Sequence, residues 1–150
     1  MVKISKMVDY SVLVLCQMAV EPLTSWSASY LADKLGLNQP TLAKICRLLA
    51  KAGMLSASRG AQGGYVLSKA PEEMSLYAVV IAIDGHNPLV SCEKKNAVCP
   101  CIPHCGLQPI WIQIDNEMKV VLERKTMADF LKQRKGYCSV IKKQEKAFDE

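Results

Sequence analysis

Asn38-Gln39-Pro40-Thr41-Leu42-Ala43-Lys44-Ile45-Cys46-Arg47-Leu48-Leu49-Ala50-Lys51-Ala52-Gly53 reads as a helix with two faces. Asn38 is suited to cap it, Pro40 is tolerated in a first turn, and Gly53 stops it. Leu42, Ile45, Cys46, Leu49 and Ala52 recur at helical spacing, while Lys44, Arg47 and Lys51 fall at i, i+3 and i+7 on a face of their own. The chain then continues as two short β-patterned runs, Leu55 to Ser58 and Tyr65 to Leu67. Between them lies Arg59-Gly60-Ala61-Gln62-Gly63-Gly64, whose glycines permit the positive φ values that hairpin loops use.

Upstream, Val8 to Val20 is apolar almost all round, the pattern of a helix buried among others, and Glu21-Pro22 ends it. Asp9 stands near its start, where it can act as a cap. Ser27 can cap a short helix through Leu35, with Gly36 fit for the left-handed position that closes it. Downstream, a fourth helix follows Ser75, with Leu76, Val79, Val80 and Ile83 in register and Gly85 beyond its end. Short helix, turn, basic helix and glycine-rich hairpin is the order of a winged helix-turn-helix. The expected fold is mainly α with a small β-hairpin wing.

That order places the first residues of the basic helix, Gln39, Thr41 and Ala43, at base edges of double-stranded DNA, with Lys44, Arg47 and Lys51 toward phosphates. Arg59 would enter the adjacent minor groove, and Gln62, Gly63 and Gly64 would approach the sugar-phosphate chain. Three charges on a helix are more often a solvated face. The arginine and three glycines that follow shift the balance toward DNA.

His86 to Gln108 contains Pro88, Pro100 and Pro103, with Pro109 just beyond, and reads as a long non-helical connection. It carries Cys92, Cys99, Cys101 and Cys105 in the spacing C-x6-C-x-C-x3-C. Zinc knuckles use paired C-x2-4-C spacing, and Cys92 stands alone, so structural zinc matches imperfectly; an iron–sulfur cluster also takes thiolates and suits a bent loop. Cys16 and Cys46 lie on apolar helix faces, the place of small core residues. From Pro109 to about Gln133 an apolar stripe of Ile110, Ile114, Met118, Val121, Leu122, Ala128 and Leu131 reads as one long helix that needs a packing partner. The chain thus divides into a DNA-binding unit (1–85), a cysteine loop (86–108), a dimerisation helix (109–134) and a charged tail (135–150).

The 150 residues fit a single domain with a protruding helix, and the net charge of +5 permits a polyanionic partner. Seven cysteines without a secretory pattern fit a reducing, cytoplasmic setting. The apolar start is interrupted by Asp9 and Gln17, and no stretch approaches the ~20 apolar residues of a membrane span. No thioredoxin-type C-x-x-C, nucleotide loop or catalytic triad points to an enzyme.

Lys6-Met7-Val8-Asp9-Tyr10, Leu31 to Gly36, Arg59 to Leu67, Ala82-Ile83-Asp84-Gly85 and the cysteine loop together resemble the winged-helix iron–sulfur transcription regulators of the IscR and NsrR type, over about Val2 to Leu131. The loop and the Ala-Gln-Gly-Gly wing look most like the branch that regulates Suf cluster-assembly genes. The resemblance implies a homodimeric regulator, a repressor in the expected mode, that senses cluster supply, iron, redox or nitric oxide stress through a cluster. It implies Cys92, Cys99 and Cys105 as ligands of a 2Fe-2S cluster, or of a 4Fe-4S one, delivered by cluster-donor proteins. Cys101 is an extra thiol that replaces a ligand or lies beside the site. The fourth ligand is open: IscR-type members carry a histidine where this chain has Gln108, NsrR-type members use an aspartate of the partner subunit at the position of Asp9, and His104 is a weaker candidate. IscR-type members also have a glutamate where this chain has Ala43, so their operator preference does not transfer. The alternative is a winged-helix regulator whose loop holds structural zinc or no metal.

Overall fold

In a computed structural model, residues 3–58, 63–90 and 101–134 are described. Helix α1 (Lys6–Met18) begins two residues earlier than its apolar run, because Ser5 caps it: the Ser5 hydroxyl accepts from the Val8 N–H at 3.2 Å. Asp9 therefore lies inside the first turn and is not the cap. Val8, Val14, Leu15 and Met18 are fully buried. Helices α2 (Ala28–Leu35) and α3 (Gln39–Lys51) follow, capped by Ser27 and Asn38 as their sequences require. Gly36, at φ 65°, makes the turn between them, and Gly53, at φ 72°, ends α3.

Leu42, Ile45, Cys46 and Leu49 of α3 are each fully buried against α1, α2 and the hairpin. Burying one such aliphatic side chain contributes about 1.5–3 kcal/mol. The hairpin pairs β1 (Leu55–Ser58) with β2 (Gly64–Leu67) antiparallel, Leu55 opposite Leu67 and Ser58 opposite Gly64. Trp26 adds an isolated bridge to Tyr65, which ties the wing to the start of α2. Gly64 does not have a positive φ. Gly64 is needed for space: a Cβ there would come within 2.7 Å of Ser25 Oγ and of the Trp26 carbonyl oxygen. A close approach, not a turn conformation, selects this glycine.

Helix α4 (Leu76–Asp84) is capped by Ser75 and packs on α1, on α3 and on the later helix Gln108–Glu123. The Ser5 hydroxyl also donates to Asp84 Oδ1 at 3.0 Å, joining the start of α1 to the end of α4. Two expectations need correction beyond this point. The cysteine connection is not wholly non-helical, since Ile102–Cys105 forms a one-turn helix, α5. Pro103 sits in its first turn, where no intrahelical N–H bond is lost. Nor does one helix run from Pro109 to Gln133: α6 (Gln108–Glu123) ends, and residues 127–134 form a separate helix, α7. The break has two causes. Asp129 Oδ2 accepts from the Thr126 N–H at 2.9 Å, a local helix start, and the backbone around it pairs with distant residues: Leu76 N–H with the Lys125 carbonyl at 2.7 Å, Met127 N–H with the Met74 carbonyl at 2.9 Å.

Candidate nucleic-acid interface and cysteine site

The DNA-facing candidates on α3 divide cleanly by exposure. Gln39, Lys44, Arg47 and Lys51 are exposed, and Thr41 and Ala43 are half-buried, while the opposite side of the helix forms core. Asn38 Oδ1 accepts from the Thr41 N–H at 2.8 Å and fixes the first turn. Arg47 Nε donates to its own helix at the Ala43 carbonyl, 3.4 Å away. Among the described residues only Lys6–Asp9 and Lys119–Glu123 form ion pairs, so Lys44, Arg47 and Lys51 have no carboxylate partner there. Three cations without a carboxylate partner among the described residues share one face. The wing stands beside it, held by the Ser58 hydroxyl, which accepts from the Gly64 N–H at 3.2 Å. Gly63 and Gly64 are half-buried; Arg59 and Gln62, the other wing candidates, lie outside the described residues.

The thiols separate into two kinds. Cys16 and Cys46 are buried in the core as small apolar residues. Burial pushes the Cys46 thiol up to about 11 and raises that of Cys16 as well, against the opposing charge of Arg134. Both remain protonated and unsuited to ligate a metal. Cys101, just before α5, is exposed, and Cys105, its last residue, is half-buried, between the end of α4 and the start of α6. His104 is exposed on the same turn. Cys92 and Cys99 lie outside the described residues. Among those described, no three His, Cys, Asp or Glu side chains come close enough to hold a metal, so Asp9 is not brought together with Cys101, His104 and Cys105 within one chain. Asp9 is exposed on α1, 4.0 Å from Lys6. Gln108 starts α6 instead of offering a ligand. The donor set available at the connection, free thiols open to solvent, fits a soft, thiolate-held group.

α6 has two apolar sides. Ile114, Met118 and Leu122 are half-buried, with Met118 and Leu122 in a cleft of about 360 Å³ shared with α4 and with residues 85–89, where the cysteine connection departs. Ile112, Val120 and Val121 are exposed, and no residue of α6 is fully buried.

A comparison with known families matches residues 4–133 to Rrf2, an iron-dependent transcriptional regulator family. The chain belongs to the Rrf2 family. Among Rrf2-like relatives, the HTH-type transcriptional regulator NsrR of Halalkalibacterium halodurans is 30% identical over 125 residues, 82% of this chain and 86% of that one. CymR, the global cysteine regulator of B. subtilis, superposes with a TM-score of 0.67 at 25% identity, covering 89% of this chain and 98% of its own. IscR of T. potens superposes with a TM-score of 0.64 at 25% identity, covering 89% and 88%. The winged-helix fold is that of Rrf2 regulators, and these relatives are regulators of transcription, not enzymes. No helix among the described residues is long and apolar enough to cross a membrane.

Sequence reasoning missed the bridge of Trp26 to Tyr65 and the pairing of Lys125 and Met127 with residues 74–76. Both are contacts between distant backbone segments. A local pattern did exist for the α7 start in Thr126-Met127-Ala128-Asp129.

Proposed function

We propose that the chain is a homodimeric, cytoplasmic regulator of transcription, a repressor in the expected mode, whose grip on double-stranded DNA depends on an iron–sulfur cluster at the cysteine connection. The observation that carries the reading is α3, with Leu42, Ile45 and Leu49 sealed in the core and Lys44, Arg47 and Lys51 left without carboxylates among the described residues on the other side. A helix so divided presents cations to phosphates while its rigid backing holds Gln39, Thr41 and Ala43 at base edges. Arg59, Gln62, Gly63 and Gly64 of the wing would meet the flanking backbone and minor groove.

Cys92, Cys99 and Cys105 would hold the cluster, expected as 2Fe-2S, with Asp9 of the partner subunit as the favoured fourth ligand, His104 a weaker one and Cys101 beside them. When bound, the group supplies a centre that responds to iron supply, oxidants or nitric oxide. The chain's part is mechanical. Residues 85–89 line the cleft between α4 and α6, so ordering of the connection bears on the angle between the DNA unit and α6. The exposed apolar side of α6 at Ile112, Val120 and Val121 supports a second copy there, and symmetry would set the spacing of two α3 helices. A shift of that spacing changes which dimers fit DNA. The similarity of loop and wing to the Suf-regulating branch, and supply by cluster-donor proteins, belong to this reading.

A second reading comes from the CymR likeness: a regulator answering to cysteine supply, its loop holding zinc or no metal. Anaerobic purification with iron, sulfide and zinc analysis separates them. Iron and sulfide in equal amounts support the cluster. Zinc alone, or neither, with DNA binding retained, supports the second reading.

A further inference from the structure

A cavity of about 460 Å³ lies between α1, the start of α4 and α7. Its walls are Ile4, Val8, Val12, Leu13, Leu76 and Phe130, with Asp9 at one end and Cys16 and Arg134 at the other. Asp9 and Cys16 are seven residues apart on one helix face, which separates the ends by about 10 Å. Arg134 is the unusual member. Its Nη2 donates to the buried Gln17 Oε1 at 2.8 Å, while Nη1 is shut off from water without an acceptor among the described residues. No carboxylate of those residues pairs with it.

We propose that this cavity binds a small amphipathic carboxylate, its apolar body against Val12, Leu13, Leu76 and Phe130 and its head at Arg134. A buried guanidinium N–H without an acceptor is costly, and an anion supplies both acceptor and countercharge, commonly in a two-bond fork. Nη1 is enclosed, so binding would require the Arg134 side chain to turn and bring Nη1 to the head. The orientation follows from charge: Arg134, with no carboxylate partner among the described residues, attracts an anion to its end. The volume is that of an ordinary small-molecule site, and the apolar walls exclude a bare inorganic anion. The ligand would bridge α1 to α7, which the Met127–Met74 and Leu76–Lys125 backbone bonds fasten to the start of α4.

Calorimetry on the full chain with octanoate and with octan-1-ol tests this. Octanoate is expected to bind one per chain, and at least about tenfold more tightly than the alcohol. Arg134→Met should remove that preference, Arg134→Lys should keep most of it, and Leu13→Trp, which fills the cavity, should abolish binding of both. If Arg134→Met does not fold, Arg134→Lys and Leu13→Trp decide alone. No octanoate binding to the unmodified chain, equal binding of acid and alcohol, or full binding by Leu13→Trp would overturn the proposal. So would a dimer that dissociates on Leu13→Asp while octanoate never binds, since the face would then belong to a second copy.

Discussion

Ser5 caps α1, and among the described residues that leaves the Asp9 carboxylate with no structural task beyond an exposed pairing with Lys6 at 4.0 Å. Such pairs contribute little to stability. Asp9→Ala should therefore leave the melting temperature of the cluster-free protein unchanged, yet alter the absorption spectrum of the loaded protein and hasten cluster loss. A destabilised apo protein with an unaltered spectrum would return Asp9 to a structural role. Thiol chemistry divides at the same scale. At pH 8 iodoacetamide should modify Cys101 and Cys105 well before Cys16 and Cys46, by peptide mass analysis, because burial keeps the latter two protonated. Cys46 has its folded pKa raised to about 11, so the stability it contributes is complete below its usual value of 9.0 and is lost as pH rises toward about 11. On α3, Lys44→Ala should weaken DNA binding and lower the salt slope by about one unit without unfolding, and Arg59→Ala on the wing should do likewise. Unchanged affinity and slope in both would defeat the assignment of this face.

Elements were legible where one signal acted alone. Ser27, Asn38 and Ser75 cap the helices their side chains announce, and Gly36 and Gly53 close them. Reading failed where two signals competed: the apolar stripe runs on from Leu122 to Ala128 and Leu131, and it masked the helix start at Thr126 and Asp129. The Thr126 backbone N–H, first among its partners, holds the Asp129 carboxyl below the usual carboxylate range. Its contribution is present above the unfolded carboxylate value of about 3.9 and is lost as pH falls through the lower folded one. Acid titration followed by amide exchange should show α7 opening before α3, and Asp129→Asn should remove that pH dependence. For α6, the exposed stripe at Ile112, Val120 and Val121 predicts that Val120→Asp converts a dimer to a monomer in sedimentation while the wing and α3 stay folded. A dimer unchanged by that substitution would place the interface elsewhere.

At the scale of the described molecule, the core runs from α1 through α3 to Met74 and Met127, so the winged-helix elements and the base of α7 share one packed interior. Winged-helix architecture was readable because helix period, caps and hairpin agreed. The wing's fastening to Trp26 and the α7 fastening to residues 74–76 were not, because they join backbone segments with no local code between them. Cys92 and Cys99 lie outside the described residues. Cys92→Ala, Cys99→Ala and Cys105→Ala should each abolish iron retention, and Cys101→Ala should not. The most direct measurement is an anaerobic anisotropy titration of one preparation against duplexes selected from a random pool, before and after the iron and sulfide are removed. The account predicts that loaded and stripped dimers differ in affinity by about tenfold or more, corresponding to about 1.4 kcal/mol of coupling. Equal affinities in a preparation shown to carry and then lose its iron would contradict it.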